Sequence, residues 1–259
     1  MSSHICPNCN NEFTGQFCNN CGQKVTHRIT MRHLVHDFVH AFTHTDKGFF
    51  YMMIQLFVRP GTVAREYISE GKRKRYFLPL QYLIIIGAIA TIVVTNSHFM
   101  EHTMNSMSEL TGTAKQYSAR QAMFMQKVSQ WQSKYYNIMI MLQLPFYALA
   151  ALVVYRKKYK FNYAELLTLQ TFVTAQNTLM ATLLMLIAFL GNSTTIYLNV
   201  IIAVIAFIYH IMVYMQFFRE YSIVGFLKAL LSYLLGLLFF FIFSVVLGLL
   251  IGFLIAIFS

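Results

Sequence analysis

The chain has 259 residues, of which 57% are hydrophobic and only 11% are charged. A water-soluble domain sits near about 45–50% apolar with about a quarter charged, so this balance excludes an ordinary soluble globule. The formal net charge of +11 does not argue for nucleic acid, because the basic residues gather beside apolar runs.

Residues 1–20 lack the basic start and apolar stretch of a secretory signal, so the N-terminal region is expected to stay in the cytosol. Disulfides are disfavoured there, and closely paired cysteines point to metal. All four cysteines lie in this region: Cys6-Pro-Asn-Cys9, eight residues, then Cys18-Asn-Asn-Cys21. Two Cys-x2-Cys knuckles place four thiolates at the corners of a tetrahedron, which suits a structural zinc ion. The same soft ligands suit iron, but a closed four-sulfur site favours zinc. Gly22 gives the second knuckle an unhindered backbone. No βαβ pattern surrounds the pairs, which argues against a thioredoxin-type role. Residues 1–28 are thus read as a zinc ribbon whose metal supplies most of its folding energy.

Residues 29–77 read as cytosolic amphipathic helices and a basic linker. Thr30–Thr45 is predicted to be a helix lying in the plane of the inner leaflet. At about 100° per residue, His33, His36, His40 and His44 share one arc with Asp37 beside them. Met31, Leu34, Val35, Phe38, Val39 and Phe42 take the opposite side. The histidine face is either a polar surface packed on membrane or head, or a second metal or pH-responsive site. The second reading rests on i, i+4 histidines sharing a metal and on imidazole titrating near neutral pH. Pro60-Gly61 and Gly71 read as helix stops, and Pro79 suits the first turn of the next helix.

Residues 78–259 read as a five-span membrane domain: Leu78–Val94, Tyr135–Tyr155, Leu166–Leu190, Ile196–Phe218 and Ile223–Phe258. Lys72-Arg73-Lys74-Arg75 precedes the first span, Arg156-Lys157-Lys158 and Lys160 follow the second, and Arg219 and Lys228 flank the last junction. With 20 basic residues in all and four of them in the loop Thr95–Lys134, sixteen fall on one side. The positive-inside rule then predicts the N-terminus in and the C-terminus out. The last segment, at 36 residues, would be ~54 Å long against a hydrocarbon core of ~30 Å. It must tilt, protrude or break, with Gly248 and Gly252 as either break points or packing positions. Gly225, Ala229, Ser232 and Gly236 form one small-residue stripe, and Ser244, Gly248, Gly252 and Ala256 another. Such stripes let helices approach closely and offer faces for a homo-oligomer. Pro145, with Gln143 nearby, predicts a kink in the second span.

In the outer loop, His98, Met100, His102, Met104 and Met107 could bind copper, but the plainer reading, an adaptable amphipathic surface, is adopted. Ala114–Trp131 is predicted to lie on the membrane as a helix, with Trp131, Tyr135 and Tyr136 at the interface. Ionisable residues within the spans are Glu165, His210 and Lys228, and Gln170, Gln176, Asn177 and Asn199 add polarity. Gln176, Asn177 and His210 make a candidate intramembrane path, although interhelical hydrogen bonding accounts for most such groups.

The order Phe17-Cys18, Cys21-Gly22-Gln23, Asp46, Gly48-Phe49, Pro60-Gly61, Tyr67-Ile68, Gly71-Lys72-Arg73, Tyr76 and Pro79 resembles a bacterial family of zinc-ribbon membrane proteins catalogued as a domain of unknown function. The resemblance is close over roughly the first 80 residues and extends to the rest in layout. It implies a bacterial inner-membrane protein and no known activity or substrate. Five spans behind a cytosolic head, with Pro60-Gly61-Thr62 before the first, are also similar to the Yip-type five-span proteins. That similarity implies a trafficking or scaffold role by fold analogy alone.

The expected fold is therefore all-α: a polytopic helical membrane bundle of five spans with an N-terminal cytosolic zinc ribbon and an interfacial amphipathic helix. No His-Glu-x2-His, Gly-x-Ser-x-Gly or phosphate-loop pattern occurs, which argues against an enzyme. The expected function is a non-enzymatic scaffold or regulator whose head docks a protein partner. The alternative is a small-solute or ion transporter or channel subunit. The expected partners are the lipid bilayer and that protein, with no nucleic acid.

Overall fold

The computed structural model describes residues 3–26, 28–32, 48–112, 118–186 and 195–258. The head begins with a two-stranded antiparallel sheet, β1 (Ser3–Ile5) and β2 (Glu12–Thr14), in the register Ser3↔Thr14, His4↔Phe13, Ile5↔Glu12. Phe13 turns inward onto the cysteines, and Ile5 stays exposed.

Among the described residues, two short helices, at Gly48–Val58 and Pro60–Ile68, lead into the first long one. Helix α1 (Gly48–Val58) buries Met52 and Leu56 and exposes Phe50, Ile54 and Val58. Pro60 ends α1 and opens α2 (Pro60–Ile68), where its missing N–H costs nothing at the first helical position. Seven of the nine residues of α2 are buried. The reason is a close approach: Gly61 lies against Val213 and Gln216, and its N–H donates to Gln216 Oε1 at 3.0 Å. A side chain at this position would overlap both neighbours. Gly71, at φ +69° and packed against Thr26, turns the chain into the basic linker.

Seven helices follow: α3 (Pro79–Asn96), α4 (Phe99–Leu110), α5 (Ala119–Lys134), α6 (Tyr136–Tyr155), α7 (Tyr163–Met185), α8 (Thr195–Phe218) and α9 (Ile223–Phe258). Four stretches are long and apolar enough to cross a membrane: Pro79–Asn96, Tyr136–Tyr155, Ile196–Phe218 and Ile223–Leu250. They mark the chain as a membrane protein. Helix α7 is less apolar but occupies the centre, with sixteen of its 23 residues buried among α3, α6 and α8. It starts beside Ile29 and ends at a cluster of Val94, Phe99, Ala181 and Met185, so it runs the length of the bundle.

Much of the polar content of α7 is absorbed locally, although Gln176 Nε2 and Asn177 Oδ1 have no hydrogen-bond partner. Thr168, Thr171 and Thr182 donate to the carbonyls four residues back. The buried hydroxyls of Tyr82 and Tyr214 donate to Gln176 Oε1 at 2.9 Å and Gln170 Oε1 at 3.2 Å. These bonds tie α3 and α8 to the central helix.

Two features of the outer loop differ from the expectations above. The outer-loop helix runs Ala119–Lys134 rather than from Ala114, because Ser118 caps it and Gln121 closes a capping box. A separate helix, α4, precedes it. Helix α9 passes through Gly248 and Gly252 without a break. Its first small-residue stripe is packed: Ala229 and Ser232 are fully buried, and Gly236 lies against the Tyr147 ring. Among the described residues nothing approaches Gly248 of the second.

Candidate functional site

The two cysteine knuckles are built alike. In the first, Cys6 N donates to Asn11 O and Asn10 N to Cys6 O, at 2.9 and 2.8 Å. In the second, Cys18 N donates to Gln23 O and Gly22 N to Cys18 O, both at 2.8 Å. The residue after the second cysteine of each pair turns left-handed: Asn10 at φ 59° and Gly22 at φ 71°. Asparagine tolerates this conformation better than most non-glycine residues, so Asn10 does the work of Gly22.

This folding brings all four sulfurs within 4.8 Å of one another. Cys6 and Cys21 approach to 3.5 Å and Cys9 and Cys18 to 3.6 Å, with all four as free thiols. A tetrahedral thiolate site with metal–sulfur bonds near 2.3 Å places its sulfurs about 3.8 Å apart, so the set fits a metal ion. The Cys21 N–H, opposed by burial and helped by the Asn20 N–H, brings the Cys18 thiol down to about 6. Such a thiol enters the ligating thiolate form readily. Among the described residues this is the one group of three or more Cys, His, Asp or Glu with converging ligand atoms.

The head is docked on the bundle. Gln23 is buried, its Nε2 donating to Gly71 O at 2.8 Å and its Oε1 accepting from Lys74 N at 3.1 Å. Arg28 reaches Glu165 with two nitrogens, and the Lys160 carbonyl also accepts from it. Asn162 Nδ2 donates to Ile29 O at 3.0 Å, and the Ile29 side chain joins the main core.

Two further charged clusters lie at this head end. Arg59 pairs with Glu66 at 3.0 Å, bonds Gln55 at 2.6 Å and lies 3.3 Å from the Tyr76 hydroxyl, which donates to Glu66. Burial pushes the Tyr76 phenol well up, and the Glu66 charge adds to that. This triad was not evident from the sequence. The signal was the i, i+7 spacing of Arg59 and Glu66, which puts both on one side of a helical stretch. The second cluster gathers Lys158, Lys228 and Tyr159 on Glu220 and joins the turns after α6 and α8. Arg65 Nη1 donates to Phe217 O at 2.7 Å, at the carbonyl end of α8 where a cation is favoured.

Of the candidate intramembrane polar residues, Asn177 and His210 line one cavity of about 150 Å³ with Gln143, Gln170, Thr174 and Tyr233. His210 is buried and stacks on Tyr214 at 4.1 Å. Neither His210 Nε2 nor Asn177 Oδ1 has a hydrogen-bond partner. Gln176 faces Tyr82 instead. His33, His36, Asp37, His40 and His44 lie outside the described residues, as does most of the predicted helix Thr30–Thr45. In the outer loop His98 faces Glu101 at 3.6 Å.

A family model described as a protein of unknown function, DUF3667, matches residues 46–91. The match includes α1, α2 with its Arg59–Glu66 pair, the basic linker and the first two-thirds of α3. No curated protein and no solved structure matches the chain.

Proposed function

We propose that the chain is a non-enzymatic scaffold of the bacterial inner membrane, in which a zinc ribbon caps a five-span bundle on the cytosolic side. Zinc is the metal assigned to Cys6, Cys9, Cys18 and Cys21. Helix α7 is the fifth span, most of its polar groups bonded within the bundle, and the C-terminus lies outside. The basic residues Lys72–Arg75, Arg156–Lys160, Arg219 and Lys228 all sit at the head end, which supports this orientation.

The observation that carries the scaffold reading is the docking of the head through Gln23, Arg28 and Ile29. A tethered head would swing freely. This one presents Ile5 and Phe17, 73% and 58% exposed, at a fixed angle to the membrane. An apolar pair so exposed on so small a module suits a protein partner. Benzoyl-phenylalanine placed at Phe17 in cells tests this. One discrete adduct, lost when Cys18→Ser unfolds the head, is expected. Only the diffuse labelling also seen from the exposed Phe241 would sink the reading.

The cavity at His210 favours a second reading, a small-solute or ion transporter, because orphaned polar atoms inside a bundle suit a polar guest. Proteoliposome flux that falls in His210→Ala but not in Phe17→Asp would favour this reading over the first.

A further inference from the structure

A second cavity, of about 220 Å³, lies at the head end between α3, α6 and α7. Its walls include Leu80, Leu144, Pro145, Leu167 and Thr171, and Arg73 stands among its lining residues. A dry apolar cavity of about 150 Å³ already accommodates benzene, so this one has room for several methylenes and offers little to hold water.

Its position matters as much as its size. Pro145 lies ten residues before the head end of α6 at Tyr155, a depth of about 15 Å and so near the middle of a ~30 Å hydrocarbon core. Arg73 belongs to the linker before α3, at headgroup level. The cavity therefore spans the depth of one leaflet, and the exposed Pro145 places it on the outer surface of the bundle.

The charged residue that lines this cavity is Arg73. Lys72, Lys74 and Arg75 adjoin it in the basic linker. Among the described residues, four carboxylates at this end pair with other cations: Glu66 with Arg59, Glu165 with Arg28, Glu220 with Lys158 and Lys228, and Glu70 with Lys72 and Arg219. The Arg73 guanidinium is held 5.6 Å above the Tyr67 ring, and its Nε lies 3.3 Å from Tyr67 O. Tyr67 lines the same cavity, so Arg73 is held against its wall.

We propose that this cavity seats one acyl chain of an anionic phospholipid, with the lipid phosphate on Arg73. The inference rests on the bundle being in a membrane, and it is independent of what the head docks. An apolar shaft beneath a fixed guanidinium matches an anionic lipid in depth, polarity and charge.

The test uses the full chain in vesicles of phosphatidylglycerol or phosphatidylcholine carrying a photoreactive group on the acyl chain. Cross-links are mapped by peptide mass spectrometry. Phosphatidylglycerol should label Leu144, Leu167 and Thr171 above the exposed Leu231 and Leu238 of α9, and phosphatidylcholine should not. Arg73→Gln should lower the cavity label about fivefold, one interfacial charge's worth, with Arg73→Lys restoring most of it. Leu144→Trp should fill the shaft and remove the label while α9 is labelled as before. If that variant misfolds, the lipid comparison and the Arg73 pair still decide. Equal cavity labelling by the two lipids, or a label indifferent to Arg73→Gln, overturns the proposal.

Discussion

Arg28 and Glu165 stand 137 positions apart and meet in a two-pronged pair, Nε to Oε1 at 2.7 Å and Nη2 to Oε2 at 2.9 Å. Glu165 Oε2 also accepts from Asn162 N at 2.8 Å, closing the capping box of α7. One carboxylate thus holds the head and starts the central helix. Glu165→Gln, which keeps the cap, should cost up to about 1 kcal/mol, because Arg28 is more than half exposed. Glu165→Ala should cost about a further 1 kcal/mol from the lost cap. Thermal unfolding in detergent compares the two, and equal losses would contradict the double role.

Elemental analysis of the purified chain should give about one zinc per chain. Cys18→Ser, or a strong chelator, should release it and unfold the head. Gln23 would then let go of Gly71 and Lys74, and trypsin should cut between Lys72 and Arg75 faster than in the metal-bound chain. An unchanged digestion rate would show that the head does not brace the linker.

Acid should weaken the triad beside α2. Burial alone would raise the Glu66 carboxyl, but the Tyr76 hydroxyl and the Arg59 guanidinium outweigh it and hold it below its ordinary value. A folded value below the unfolded one gives stability that is complete above about pH 4.3 and is lost as pH falls through the folded value. The melting temperature of Glu66→Gln should therefore fall less than that of the wild type on acidification. Metal release is common to both chains and cancels in the difference.

Glycines of two kinds should separate cleanly. Gly61→Ala drives a methyl into Val213 and Gln216 and should cost about 1–3 kcal/mol, as overpacking does. Gly248→Ala meets nothing among the described residues and should be neutral or stabilising by up to about 1 kcal/mol, from helix propensity. A Gly248→Ala protein that melts earlier and changes its mass in detergent would place an oligomer contact on that face.

A reporter active only in the cytosol, fused after Ser259, should be silent if α7 is a span. Full activity there would mean an even number of crossings.

The sequence exposed what is short-range and periodic. The knuckles lie within sixteen residues of one another, and hydropathy placed the first and second spans within two residues of α3 and α6. The Ser118–Gln121 box was also legible and would have corrected the start of α5. Pairings between distant segments were not legible. Gln23 meets Gly71 across 48 positions, and nothing local about a glutamine after a knuckle announces a buried bridge. The cavities were hidden for the same reason, since walls from α3, α6 and α7 become neighbours only after the bundle forms. Gln176, Asn177 and His210 were legible as one polar group, but that Gln176 turns to Tyr82 instead was not, because it depends on the rotation of α7 against its neighbours.

Helix α9 is held along only part of its length. Its first turns bear on Tyr147 through Gly236 and on Phe146 through Phe240 and Phe243, and every residue from Ser244 to Leu250 is exposed. About 22 Å of rod extends past Phe243, at 1.5 Å per residue. That makes the Phe146–Phe243 contact a fulcrum: a five-degree rocking there would sweep the last turn through about 2 Å. Small adjustments in packing at the Tyr147 ring would thus be read out, enlarged, at the opposite face of the bilayer.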